Sequence, residues 1–167
     1  MTDLGFRRMR PEEASATRDL VEVAFAPEDV PTFLDGLRAA GCILGEWVAE
    51  EDGVLAGHVV FNRIGLVSGD GAERAAVMLT PLAVVPERQG QGIGTGLTRA
   101  ALAELEADGE DLFFVLGHKD YYPRFGFRPV DASRIASRWG QTPHFMVRGA
   151  DVPEGRLVLP QIIEEAD

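Results

Sequence analysis

A mixed α/β fold is what this sequence predicts, and three observations carry the prediction. Two β-rich runs flank Asp52-Gly53, a residue pair suited to a tight hairpin, so the sheet begins antiparallel. Further on, the apolar run "MLTPLAVVPE" leads through a glycine turn into an amphipathic helix, and a second apolar run, "DLFFVLG", follows that helix. Finally, a chain of 167 residues that is 46% hydrophobic, with nine Phe, is long enough to bury a core as one domain, taken as residues 1–167.

The elements follow in order. "GFRRMRPEEASATRDLVEVAFA" reads as a short strand and then a helix with Pro11 near its first turn and Leu20, Val21, Ala24 and Phe25 at helical spacing. "VPTFLDGLRAAG" is a second helix, capped by Gly41. "EWVAEEDGVLAGHVVFNRIGLV" is the hairpin, and "RAAVMLTPLAVVP" is a buried strand too short for a core helix. Pro81 interrupts that strand; proline cannot donate to a ladder, so it marks a bulge or a place where pairing fails. From Gly92 the period changes, with Ile93, Leu97, Ala100, Ala101 and Leu105 on one helical face and Gly109 as the stop. "DLFFVLG" is a strand, "HKDYYPRF" a turn or short helix, "GFRPV" the start of a strand, and "HFMVRG" and "RLVLP" short strands.

Composition excludes several classes. Sixteen basic against 27 acidic side chains give a net charge of −11, which repels a polyphosphate backbone and argues against a nucleic-acid partner. The same field favours approach of a cationic substrate such as an amine. Cys42 is the single cysteine, so no internal disulfide forms, and no Cys/His spacing resembles a zinc site. Beside "AAG" it reads as a small core residue. No apolar run reaches the roughly 20 residues needed to cross a bilayer, and "MTDLGFRRMRPEEA" lacks the apolar region of a signal peptide, so a cytoplasmic location with no membrane partner is expected.

The stretch "RQGQGIGTGLTRA" concentrates the functional signal, with Gly90, Gly92, Gly94 and Gly96 at alternate positions between strand and helix. The first N–H groups of a helix lack intrahelical acceptors and carry the positive end of its dipole, so this junction suits an anion. Glycine also serves tight packing alone. A Walker A loop needs Lys-Ser/Thr after the last glycine, whereas Leu97-Thr98 follows Gly96; a GxGxxG fingerprint needs glycine where Thr95 or Leu97 stands. A nucleoside-triphosphate binder therefore fails on the missing lysine.

What does match is Gln/Arg-x-x-Gly-x-Gly/Ala, met by Gln89, Gly92 and Gly94. This resembles the coenzyme A pyrophosphate loop of the GCN5-related N-acetyltransferase (GNAT) superfamily. A second motif in the same order, Tyr122-Pro123-Arg124-Phe125-Gly126-Phe127, resembles that family's Tyr-x-Arg-Phe-Gly-Phe run. With "RRMRPEEA", Thr80-Pro81-Leu82-Ala83-Val84, "RQGQGIG" and "YYPRFGF", the chain resembles the YhbS-like bacterial subgroup from about Phe6 to Val130.

The resemblance implies a GNAT fold: a mixed sheet of six to seven strands with about four flanking helices, whose strands at 75–85 and 112–117 are parallel and splay apart. It implies acetyl-CoA as cosubstrate, with no metal. Pantetheine would pair with backbone at Leu82, Ala83 and Val84, and the pyrophosphate would lie on N–H groups of Gln89, Gly90, Gln91, Gly92, Ile93, Gly94 and Thr95, with Arg124 facing the cofactor or solvent. Arg88 and Arg99 would add charge. Tyr122 would be the general acid on the coenzyme A sulfur, and a backbone N–H around Leu82 or Ala83 would hold the oxyanion.

Tyr121 and Tyr122 also read as ordinary aromatic core, and Phe125 and Phe127 as core. The family's glutamate base is missing from "VMLTPLAVV", which implies a water chain or distant carboxylate, with Thr80 positioning water; His118 reads as a turn residue, and His58 and His144 as structural. The acceptor, an amine-bearing small molecule or peptide, would be selected by residues 25–37 and 137–144. Homodimers are common in the family. The function expected is transfer of acetyl from acetyl-CoA to an amine by direct attack in a ternary complex; the alternative is a non-catalytic acyl-CoA-binding or sensor domain.

Overall fold

In the computed structural model, which describes residues 3–167, strand β1 (Leu4–Arg8) and a 3-10 turn at Pro11–Glu13 lead into helices α1 (Ala14–Phe25) and α2 (Val30–Ala40). Strands β2 (Ile43–Glu51), β3 (Val54–Val67) and β4 (Glu73–Val84) follow, then α3 (Ile93–Ala107) and β5 (Phe113–Leu116). A 3-10 turn at Tyr122–Phe125, β6 (Arg128–Pro129), β7 (Ile135–Ala136), β8 (Phe145–Arg148), β9 (Gly155–Val158) and α4 (Gln161–Glu164) complete the described chain.

Local chemistry sets the boundaries. Asp29 caps α2 by accepting from Thr32 N–H at 3.2 Å, and Gly41 ends it in the left-handed region at φ 70°. Asp52 and Gly53 both take positive φ, 52° and 78°, as a tight hairpin turn requires. Pro11 opens the 3-10 turn and not α1 itself, whose first residue is Ala14.

The strands form one sheet in the order β1-β2-β3-β4-β5-β8-β6, with β9 pairing β3 and β7. The main path has seven strands, as the resemblance implies, and the branch raises the total to nine. The two-residue β7 and the four-residue α4 are too short for a periodic signal and were not expected from sequence. Helix α3 covers one face, with Ile93, Leu97, Ala101, Leu102 and Leu105 against Trp47, Phe61, Val77 and Phe113. Helices α1 and α2 cover the other, with Leu20, Val21, Leu34 and Leu37 against Val60, Met78 and Phe114. Each fully buried Val, Leu, Ile, Phe or Met among them contributes about 1.5–3 kcal/mol.

Strand β4 decides where the sheet opens. It pairs in parallel with β5 only at Val77, Met78 and Leu79, opposite Phe113, Phe114 and Val115. Against β3 the register runs Leu79↔Phe61 and then Leu82↔Val59, so Thr80 and Pro81 both stand opposite Val60. That is a bulge of one residue, at the proline and at the point where the β5 side loses its partner. No described helix is long and apolar enough to cross a membrane.

Candidate functional site

The four alternating glycines divide into two kinds. Gly90 and Gly92 lie at φ 75° and 81°, which favours glycine, and at both a Cβ would meet open space: their role is conformational. Gly94 and Gly96 lie inside α3 and serve proximity. A Cβ at Gly94 would come within 3.3 Å of the Tyr121 hydroxyl, 3.5 Å of Val84 and 3.7 Å of Leu82. One at Gly96 would run into the Phe6 ring.

The first intrahelical acceptor used at this end is Gly92 C=O, which receives Gly96 N–H at 3.0 Å. Among the described residues, the N–H groups of Gly90, Gln91, Gly92, Ile93, Gly94 and Thr95 have no acceptor. This forms a row of donors at the positive end of a 15-residue helix. Gln89 N–H does not belong to the row: it donates to Pro86 C=O at 3.3 Å. Ile93 is 1% exposed and packs in the cluster between α3 and the sheet.

Side chains around the row are largely spoken for. Gln89 Nε2 donates to Val84 C=O at 3.0 Å, and Gln91 Nε2 to Glu87 C=O at 3.3 Å. Arg88 pairs with Glu51 at 2.9 Å and donates to Gln91 at 3.0 Å, while Arg99 lies over the Phe125 ring at 5.7 Å. Arg124 lies 4.2 Å over the Tyr121 ring and donates through Nε to Tyr121 C=O at 2.7 Å, so this expected cofactor contact acts first as a brace on a tyrosine.

The free edge of β4 adds a second set of backbone groups. Val85 N–H donates to Ala56 C=O at 3.0 Å across the ladder with β3. Backbone direction alternates along a strand. Ala83, opposite His58, therefore also faces β3, and the expected free backbone at Ala83 is taken by the ladder. Leu82 and Val84 face the gap beyond β5. The one-residue bulge causes this, because it reverses the parity that would otherwise send residues 81 and 83 outward.

Tyr122 closes the far side. Its ring packs against Gly117, where a Cβ would collide with it, and edge-on against Tyr121 at 5.1 Å. The residue is 7% exposed, and its ring also meets Phe125 at 6.2 Å and Phe127 at 6.0 Å. Burial, with a smaller contribution from Tyr121, pushes the phenol above its ordinary value, so it stays protonated at neutral pH.

Beneath α1 and α2 lies a buried polar column that sequence reasoning missed. His58, read as structural, places Nε2 2.7 Å from Glu46 Oε1, while Arg38 donates to the same carboxylate at 2.8 and 3.2 Å and to Thr17 Oγ1 at 2.8 Å. His58 Nδ1 is buried and unpartnered. Burial acts to raise the Glu46 carboxyl, but the bonds from His58 and Arg38 outweigh it and hold it low. Asn62 donates to Met78 C=O at 3.3 Å and Thr80 C=O at 3.0 Å, fastening β4 at the start of the bulge. A histidine and an asparagine inside "GHVVFNRI" were the available signal. His118 and His144 lie exposed in turns, and Cys42 packs against the core, its thiol pushed up by burial. Among the described residues no group of three His, Cys, Asp or Glu side chains is placed to hold a metal ion.

Comparison with known proteins gives this geometry a context. The family model described as an acetyltransferase (GNAT) domain matches residues 5–130. The uncharacterized N-acetyltransferase YjhQ of Escherichia coli K12 is 42% identical over 82 residues, a match that spans 49% of this chain and 45% of that protein. Among solved structures, a GNAT family acetyltransferase from Brucella melitensis in complex with acetyl-CoA superposes with a TM-score of 0.78 at 33% identity, covering 96% of this chain and 98% of its own. YhbS from Escherichia coli in complex with CoA superposes at 0.88 with 25% identity, covering 100% and 95%.

Proposed function

The chain belongs to the GNAT acetyltransferase family, and on that premise we propose that it transfers an acetyl group from acetyl-CoA to an amine by direct attack in a ternary complex. The single observation that carries the reading is the row of six unpartnered N–H groups from Gly90 to Thr95, set beside the unpaired edge of β4. A diphosphate needs many donors and little steric bulk, which the row supplies without a lysine. An amide-bearing arm needs one strand edge of limited length, which Leu82 and the N–H of Val84 supply, the Val84 carbonyl already accepting from Gln89. The complexes of the two solved relatives with acetyl-CoA and CoA support the same cosubstrate.

In this reading the amine lone pair attacks the thioester carbonyl, and Leu82 N–H, the outward-facing donor next to the bulge, holds the oxyanion. The nitrogen, cationic once the new carbon–nitrogen bond has formed, loses a proton to water; collapse of the tetrahedral intermediate then breaks the carbon–sulfur bond, and the Tyr122 hydroxyl gives its proton to the departing thiolate and regains one from water. A phenol held above its ordinary value near 10 is a donor and not a base at neutral pH.

Incubation with acetyl-CoA and a panel of amines, read by product mass and thiol release, tests the proposal. Tyr122→Phe should lower kcat about 100-fold, the lower range for a general acid, with acetyl-CoA affinity unchanged. The second reading, an acyl-CoA-binding domain without turnover, is favoured by one observation: the only carboxylate in β4 is Glu73, at the opposite end from the bulge. Acetyl-CoA binding with no product from any amine would select it.

A further inference from the structure

We infer that Tyr121, to which the resemblance assigns no chemical role, recognises the cofactor's diphosphate beside the first turn of α3. The inference rests on the acetyl-CoA reading of this site and adds a side-chain donor to a cradle otherwise made of backbone.

Geometry carries it. The Tyr121 hydroxyl lies 3.0 Å from Thr95 Oγ1, on the third residue of α3, whose own N–H belongs to the unpartnered row. The same hydroxyl is 3.3 Å from the position of a Cβ at Gly94, a point also within 3.5 Å of Val84 and 3.7 Å of Leu82. The phenol thus stands where the donor row meets the free edge of β4, at the junction of diphosphate and pantetheine. Its ring is held by Arg124 stacked at 4.2 Å, by the Arg124 bond to its carbonyl, and by edge contacts with Tyr122 and Phe125 at 5.1 and 5.5 Å.

The chemistry follows from the hydrogen count. Two hydroxyls facing each other use one hydrogen between them and leave the other free to donate. A phosphate oxygen next to this pair accepts that hydrogen in a charge-assisted bond, stronger than one between neutral groups. A phenylalanine at 121 would keep the same aromatic contacts, so packing alone does not account for the hydroxyl. Gly94 has an ordinary helical φ, and the space a side chain there would fill is the space against this hydroxyl.

Titration calorimetry with acetyl-CoA and, separately, with CoA tests it on wild type, Tyr121→Phe, Thr95→Val and Tyr122→Phe. Tyr121→Phe should weaken both ligands equally, about tenfold, because the lost bond goes to a charged group on their shared part. Thr95→Val should weaken them less, and the double variant no more than Tyr121→Phe alone, since the two hydroxyls act as one unit. Tyr122→Phe should bind as wild type. An unchanged thermal midpoint of ligand-free Tyr121→Phe shows that the loss is not one of folding. A Tyr121→Phe affinity within twofold of wild type overturns the inference while leaving the acetyl-CoA reading intact, and a loss confined to acetyl-CoA overturns it by moving the contact to the acyl end. A wild-type protein that binds neither ligand removes the inference and the acetyl-CoA reading together.

Discussion

The two faces of the sheet place their polar groups by different means. Under α3, at the glycine turn, the available groups are backbone: six unpartnered N–H groups and the outward edge of Leu82 and Val84. Under α1 and α2, the available groups are side chains, Thr17, Arg38, Glu46, His58 and Asn62, drawn from four elements and bonded mainly to one another or to backbone. A backbone site depends on what is absent from its residues, namely Cβ atoms and competing acceptors. A side-chain column depends on partners that meet only after folding. The first therefore tolerates side-chain change away from its glycines, whereas the second fails when any member is removed.

The largest expected effect lies on the side-chain face. Glu46→Ala leaves His58, fully buried, and Arg38, whose side chain is 21% exposed, without their carboxylate. Loss of one partner from such a pair should destabilise by about 3 kcal/mol, measured by urea unfolding. The effect has a pH signature. The folded Glu46 carboxyl is held below its unfolded value near 4.3, so its contribution is fully present above that value and is lost as pH falls through the folded one. The stability gap between wild type and Glu46→Gln should accordingly be level near pH 7 and narrow in acid.

The next effect lies on the backbone face. Gly92→Ala forces a Cβ into the left-handed region, at a strain of about 1–2 kcal/mol, and should lower acetyl-CoA affinity about tenfold by calorimetry. Gly94→Ala sharpens the contrast between the two kinds of glycine. Its backbone is already helical, so thermal stability should hold or rise by up to about 1 kcal/mol, while the crowded Tyr121 hydroxyl weakens acetyl-CoA binding a few-fold. Equal destabilisation by both substitutions would remove the distinction.

The same division explains what was legible in the sequence. Asp52-Gly53, Gly41, Pro81 and the alternating glycines each impose a local backbone state, and each could be placed from neighbours alone. The direction of Ala83 could not, because the bulge beside it reverses strand parity and only the register reveals how many residues it inserts. Arg124 offered a free cation in sequence, but the ring that it braces lies three residues earlier, just before a 3-10 turn whose geometry the sequence leaves open. His58 and Glu46 are 12 residues apart on separate strands, and nothing local announces their bond. The twelve-residue α1 shows its apolar stripe plainly, whereas β7 has two residues and no period to read.

In the proposed complex the backbone amides of the glycine turn hold the cofactor. Amide resonances of nitrogen-15-labelled protein, followed through a titration with acetyl-CoA, test it most directly. Gly90, Gln91, Gly92, Ile93, Gly94 and Thr95 should shift most strongly, joined by Leu82 and Val84, with Ala83 and Gln89 shifting less because their N–H groups are already bonded. Saturable binding that leaves the Gly90–Thr95 amides unmoved would contradict it.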